Sequence, residues 1–176
     1  MKQLIYSNSI LYIALGLLSP FWIYKVNLIS DGNITKFSIA IGLMFISQSV
    51  GAFIYGKKSD NKGRKKTINR SLVLAAISIA LLQIATNYLG LIILQVSIGL
   101  WMGAAETTIK AYMGDLTEEE TRGGEFGSYD AIITLCTGVA MIVAGLLTPT
   151  YIFYIVAIMI LISVIMLNTN RFKKEV

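Results

Sequence analysis

Residues Gly56 to Lys66 read GKKSDNKGRKK and separate two long apolar stretches. The segment holds six cations, a single aspartate and two glycines. A short connector on the cytoplasmic side of a membrane protein is basic as a rule, which explains the lysines. That rule does not explain the spaced glycines or the lone aspartate, so these residues point to a role beyond topology.

The composition of the whole chain indicates an integral membrane protein. Of its 176 residues, 55% are hydrophobic, and the mean hydropathy is +0.68, well above that of soluble domains. The net charge of +5 collects in loops beside apolar runs, so we expect no nucleic-acid partner. With no histidine and one cysteine, the chain lacks a histidine metal site, a Ser-His triad and an internal disulfide. We expect no enzyme activity, no cofactor and no metal.

Six apolar runs predict an all-α fold with six transmembrane helices in a single domain, residues 1–176. They cover residues 4–26, 37–55, 68–86, 89–112, 127–147 and 151–167. Each has close to the roughly 20 residues that a helix needs to cross the hydrocarbon. The first run is too long for a signal-peptide core, so we expect it to be retained as a helix. Turn-forming residues separate the runs at Asp31-Gly32-Asn33, Asn61-Lys62-Gly63, Asn87, Gly123-Gly124 and Pro149.

The distribution of lysine and arginine predicts the orientation. With the N-terminus inside, only Lys25 and Lys36 of the 15 lysines and arginines fall on the outer side. The positive-inside rule therefore places both termini in the cytoplasm, with the chain in the plasma membrane. The cations predicted to lie inside include Lys2, Lys110, Arg171, Lys173 and Lys174.

Polarity predicts which helices face a cavity. The first and fourth runs hold several polar side chains, which should line an aqueous cavity because polar groups in a bilayer face protein or water. The second and fifth are rich in small residues and should form packing interfaces. The third and sixth have few polar groups and should face lipid. Trp22, near the outer end of the first run, is explained by anchoring at the membrane interface.

The connector resembles the signature loop of the major facilitator superfamily, Gly-x-x-x-Asp-x-x-Gly-Arg-Lys/Arg. It matches at Gly56, Asp60, Gly63 and Arg64, and Asn61 stands where the family usually has a cation. Residues 111–127 resemble the second cytoplasmic loop of the same family, with Asp115 closing one helix and Arg122 opening the next. In the fourth helix Gln95 replaces the family's usual arginine, four residues before Gly99.

The resemblance implies one half of a secondary transporter. Members of the family have twelve helices in two six-helix halves that share an orientation. The chain would then move a small solute by alternating access, as a homodimer or paired with a second half. It also implies a conformational latch at the cytoplasmic end. The residues matched to that latch are Gly56, Asp60, Gly63, Arg64, Asp115 and Arg122.

Five polar residues are candidates for a substrate or proton site: Glu106, Gln95, Asn8, Tyr12 and Asp130. Glu106 lies six residues from the inner end of its predicted span, or about 9 Å along a helix. An acid within the membrane suggests a proton carrier or a cation ligand. An i,i+4 pair with Lys110 explains it equally well.

The other four candidates have simpler explanations as well. Asn8, Tyr12 and Gln95 either line the cavity or make ordinary hydrogen bonds between helices. Asp130 either belongs to the site or meets the positive end of its own helix or a loop arginine. Two alternatives to a working transporter stay open: a truncated or split half that is inactive alone, and a non-transporting scaffold or regulatory subunit. The sequence does not name the substrate.

Overall fold

The computed structural model describes residues 2–148 and 150–169, and within them the chain folds into six α-helices. Pro149 and the cations Arg171, Lys173 and Lys174 lie outside the described residues. The all-α prediction agrees with the structure. In chain order the helices are α1 (Lys2–Ile29), α2 (Ile34–Lys62), α3 (Arg64–Leu82), α4 (Tyr88–Leu116), α5 (Arg122–Ala144) and α6 (Ile152–Asn168).

Four of these helices, α1, α2, α4 and α5, are long and apolar enough to cross a membrane. Helix α3 begins with three consecutive cations and has Arg70 a turn later, which leaves it a short apolar part. Helix α6 is strongly apolar but has only 17 residues. Membrane crossing by all six helices therefore stays a prediction.

The helices do not end where the apolar runs end. Helix α2 continues from the predicted boundary at residue 55 to Lys62, so most of the signature segment is helical. The short connector expected between residues 55 and 68 is therefore mostly helical, and a single residue, Gly63, joins α2 to α3. Its φ of +86° favours glycine, because a side chain there is strained. The backbone N–H of Gly63 donates to the Ser59 carbonyl at 3.0 Å and ends α2.

The connection between α3 and α4 is also short, as expected for an antiparallel hairpin. Helix α3 ends at Leu82, four residues before the predicted boundary. The chain turns through residues 83–87, and the Asn87 side chain caps α4 by accepting a 2.7 Å hydrogen bond from the Gly90 N–H. The two helices then pack along one another.

The helices pack as an open arc in the order α2, α4, α3, α6, α1, α5. Helices α2 and α5 are therefore its ends, and each has only one principal neighbour. The predicted lipid-facing helices α3 and α6 lie at the centre of the arc, and each buries one face. Their lipid exposure can then involve only the opposite faces, where Ile77 and Ile165 are exposed.

Glycines bring α2 and α4 into backbone contact. A Cβ on Gly99 would overlap the carbonyl oxygen of Met44, and one on Gly103 would overlap that of Gln48. A Cβ on Gly51 would overlap the carbonyl oxygen of Leu100 from the other side. The small residues of α2 therefore serve a packing interface within this chain, as small residues in membrane helices commonly do. The opposite side of α2 exposes Phe45, Ile46, Val50 and Phe53.

Candidate functional site

A cavity of about 180 Å³ lies among α1, α2, α3 and α4. Most of its wall is apolar, and a few polar groups face into it, which is the usual composition of a small-molecule site. The first and fourth helices line it as predicted, and the second and third contribute as well. Its polar lining residues are Ser19, Trp22, Gln48 and Glu106.

Glu106, on α4, is hydrogen-bonded to a side chain of α2 at the wall of the cavity. Gln48 Nε2 donates a hydrogen bond of 3.0 Å to Glu106 Oε2, and the carboxylate is half-buried. The charge of Lys110 acts on Glu106 as the i,i+4 spacing suggested, but the described residues form no direct ion pair between the two. The predicted depth of Glu106 in the membrane stays a prediction, although α4 itself continues to Leu116. Glu106 lies ten residues from that end, or about 15 Å.

Gln95 is fully buried and is bound to Trp22. The indole N–H of Trp22 donates to Gln95 Oε1 at 3.1 Å, and Gln95 Nε2 has no hydrogen-bond partner in the part of the chain that the structure describes. Trp22 was expected to be an interface anchor, but it lines the cavity instead. The helical spacing could have predicted that Trp22 lines the cavity, because it shares one face of α1 with three other lining residues: Leu15, Leu18 and Ser19.

Asn8 and Tyr12 lie away from this cavity. Asn8 Nδ2 donates to the Tyr129 hydroxyl at 2.7 Å, and both residues are buried between α1 and α5. This is the ordinary interhelical hydrogen bond that was the alternative for Asn8. Tyr12 lines a separate groove against α5, beside Thr137. No pattern in the sequence indicated Tyr129 as the partner of Asn8.

Asp130 is exposed on α5 and forms no ion pair within the part of the chain that the structure describes. Because α5 begins at Arg122 instead of near residue 127, Asp130 lies eight residues into the helix. It is therefore beyond the first turn, where the helix dipole acts. Neither explanation offered for Asp130, its own helix terminus or a loop arginine, agrees with the structure.

Arg64 joins the ends of three helices at the face of the molecule that holds the signature segment. Its Nε donates to Asp115 Oδ2 at 3.0 Å, and its Nη1 forms an ion pair with Asp60. Nη1 also donates at 2.6 Å to the hydroxyl of Ser59, which is buried and donates in turn to the Gly56 carbonyl. Sequence reasoning missed Ser59.

Two opposing effects act on the charge of Arg64. Partial desolvation lowers the pKa of the guanidinium, but the hydrogen bonds and charges of Asp115 and Asp60 outweigh it, so its pKa is raised. The guanidinium therefore stays charged.

Of the remaining latch candidates, Gly56 lies beside the Arg64 cluster and Arg122 lies outside it. Gly56 lies where α2 meets α4, and an added Cβ would stand 3.2 Å from the Thr107 methyl group. Arg122 is outside the cluster, since its guanidinium donates to the Thr117 carbonyl at 3.5 Å. The structure thus brings Gly56, Asp60, Arg64 and Asp115 together and leaves Arg122 apart.

The long apolar helices and the partly enclosed cavity, with its few polar groups, define a helical membrane protein with a candidate binding site inside its helix bundle. The model of the Major Facilitator Superfamily matches residues 4–175. The chain belongs to that superfamily, and the family and its long apolar helices identify it as an integral membrane protein.

Two transporters resemble the chain at moderate identity. One is the glucose transporter GlcP of Staphylococcus epidermidis, 29% identical over 103 residues, which are 58% of this chain and 23% of that protein. The other is multidrug resistance protein 3 of Bacillus subtilis, 29% identical over 134 residues, or 73% of this chain and 26% of that protein. The matched segments thus span about a quarter of each relative.

Proposed function

We propose that this chain is one six-helix half of a secondary transporter that moves a small solute by alternating access. The cavity among α1, α2, α3 and α4 supports this proposal best, because it presents a hydrogen-bonded carboxylate, Glu106, inside the helix bundle. An ionisable group in that position is a functional candidate by default. Both termini lie in the cytoplasm, as the positive-inside rule predicts.

A second six-helix unit completes the transporter. The open arc leaves α2 and α5 as ends with exposed apolar faces, which include Phe53 on α2 and Leu135 on α5. Two halves that insert in the same orientation can face each other about an axis along the membrane normal. The second unit is another copy of this chain, or else a second half of different sequence.

The Arg64 cluster acts as the conformational latch. It ties the ends of α2 and α4 to the start of α3, so a rearrangement of these helices has to break it. Asp60 and Asp115 are each more than half exposed, and partly solvated ion pairs of this kind contribute only about 0.2–1 kcal/mol. A contact of that strength can form and break in every transport cycle.

The cavity suits a small polar or cationic solute. A carboxylate, an amide, an indole N–H and a hydroxyl face a mainly apolar wall. Glu106 serves either as a ligand for a cationic substrate or as a proton carrier. The names of the two relatives, a glucose transporter and a multidrug resistance protein, suggest glucose and a cationic dye as the first probes.

The first experiment measures the mass of the purified chain in detergent by light scattering, and then solute uptake into reconstituted vesicles. We expect a dimer and uptake of one probe. Asp60→Asn and Glu106→Gln should reduce that uptake, while Glu119→Gln, in an exposed segment, should not. A monomer would refute the homodimer and leave a separate second half. If vesicles that contain the chain took up no more of either probe than empty vesicles, the scaffold alternative would be favoured.

A further inference from the structure

The face of the molecule that holds the signature segment has a second cationic site, separate from the Arg64 cluster. We propose that the cleft between α2 and α3 binds the phosphate headgroup of an anionic phospholipid. This inference goes beyond the proposed transport function. It rests only on the chain being a membrane protein, so it would survive the failure of the transport proposal.

Four cations surround the cleft. Lys58 and Lys62 come from the last turns of α2, and Lys66 and Arg70 come from one face of α3 at i,i+4 spacing. The cleft has a volume of about 50 Å³, which suits a group of the size of a phosphate. Tyr55 lies beside it at the inner end of the predicted second span, where aromatic residues mark the level of lipid headgroups.

A buried hydroxyl group faces the same cleft. Ser71 is 1% exposed and lines the cleft, and its Oγ has no hydrogen-bond partner in the described residues. Buried polar atoms normally have a partner, so a missing one indicates a ligand. The neighbouring hydroxyl of Thr67 is already used, since it donates to the Gly63 carbonyl at 3.1 Å. Ser71 is therefore free to donate to a phosphate oxygen.

No carboxylate in residues 2–148 or 150–169 forms an ion pair with these four cations. The nearby acids Asp60 and Asp115 both pair with Arg64. Lys58 Nζ instead stands 5.2 Å from the ring centroid of Tyr55, a cation–π contact. Like charges this close repel one another, and a bound anion would relieve that repulsion.

An apolar groove beside the cleft favours a lipid over free phosphate. Lys66 and Arg70 also line a wider groove between α3 and α6, whose floor includes Val73 and Leu74. In this groove Asn69 Oδ1 has no partner among the described residues, although Asn69 Nδ2 donates to Asn168 Oδ1 at 2.9 Å. A phospholipid with its phosphate in the cleft could place its glycerol and first acyl carbons in the groove. Basic pockets between membrane helices are known to bind anionic headgroups.

The test uses the purified chain in a neutral detergent and native mass spectrometry. The probes are a short-chain phosphatidylglycerol, the phosphatidylcholine with the same acyl chains, and inorganic phosphate. We expect one tightly bound phosphatidylglycerol per chain and no comparable binding of the other two. Lys66→Gln with Arg70→Gln should weaken binding by about fivefold for each cation removed. The charge-matched control, Lys57→Gln with Lys110→Gln, lies on the same side and lines neither the cleft nor the groove.

Ser71→Ala separates a built site from diffuse attraction, because it changes no charge. It should weaken phosphatidylglycerol binding about threefold to tenfold without lowering the unfolding temperature, since the hydroxyl has no partner to lose. The proposal would be overturned if the control pair lost as much affinity as the cleft pair. It would also be overturned if Ser71→Ala bound normally, or if inorganic phosphate bound as well as the lipid.

Discussion

Gln48 contacts α4 in two ways at once. Its side-chain amide donates to the Glu106 carboxylate at 3.0 Å, and its backbone carbonyl lies where a side chain on Gly103 would have to be. Gly103 precedes Glu106 by about one helical turn. The close approach of the two backbones therefore also sets the position of the carboxylate. The close packing of α2 against α4 thus determines where the Glu106 carboxylate lies in the candidate site.

Gly103→Ala should disturb both aspects of this contact. The added Cβ overlaps the Gln48 carbonyl, so α2 and α4 must separate. We expect a loss of about 1–3 kcal/mol, as for other overpacked positions, seen as a lower midpoint of unfolding in detergent. The matched control is Gly42→Ala, because a Cβ there meets no atom within 4 Å. Equal midpoints for the two variants would contradict a close packing of these helices.

Glu106→Gln should separate folding from function. Glutamine keeps the length of the side chain and can still bond to Gln48, so we expect the unfolding midpoint to stay close to that of the original chain. Transport of a cation or a coupled proton should fall by more than about tenfold, or ~1.4 kcal/mol. Vesicle uptake measures this effect, with Glu119→Gln as the control. Unchanged uptake would remove Glu106 from the transport mechanism.

The positions of the helices followed from hydropathy, but their ends did not. An apolar run reports where a chain enters and leaves hydrocarbon, whereas a helix ends where its backbone hydrogen bonds end. Helix α2 illustrates the difference, because it continues through polar residues from 55 to Lys62. Helix α4 shows the same difference, since it extends beyond its apolar run to Leu116.

Contacts between distant residues were predicted only where the family resemblance supplied them. The resemblance assigned Arg64, Asp60 and Asp115 to one latch, and in the structure Arg64 pairs with both aspartates. Local spacing suggested Lys110 for Glu106, but the partner is Gln48, 58 residues away in the chain. The partner of Glu106 depends on which faces of two helices pack against each other. The spacing of residues along one helix does not carry this information.

A double-mutant cycle on Arg64→Gln and Asp115→Asn should measure the strength of the latch contact. The Arg64 side chain is 20% exposed and that of Asp115 is 53% exposed, so solvent screens the pair. We expect a coupling free energy of about 0.2–1 kcal/mol that decreases as salt is added. The control cycle combines Lys57→Gln with Asp115→Asn. Lys57 forms no ion pair with Asp115 in the described residues, so this cycle should show no coupling. A coupling that did not respond to salt would contradict an electrostatic latch.

Tyr129→Phe should destabilise the contact between α1 and α5. The change leaves the buried Nδ2 of Asn8 without its 2.7 Å acceptor. Hydrogen bonds between membrane helices contribute about 0.6–2 kcal/mol, and we expect a loss of that size in unfolding experiments. The control Tyr151→Phe alters an exposed residue and should have no effect. Adding Asn8→Leu to Tyr129→Phe should restore part of the loss, because no buried donor then lacks a partner.

Gly63→Ala tests whether the one-residue connector depends on glycine. The φ of +86° is strained for alanine, although a Cβ at this position meets no neighbouring atom. The expected loss of about 1–2 kcal/mol therefore comes from the backbone alone. Gly123→Ala is the control, since Gly123 has open space and lies in the first turn of α5, where alanine is favourable. Because Gly63 separates Asp60 from Arg64, Gly63→Ala should also weaken the Arg64–Asp115 coupling measured in the cycle above. An unchanged unfolding midpoint together with an unchanged coupling would show that α2 and α3 can be joined without a glycine.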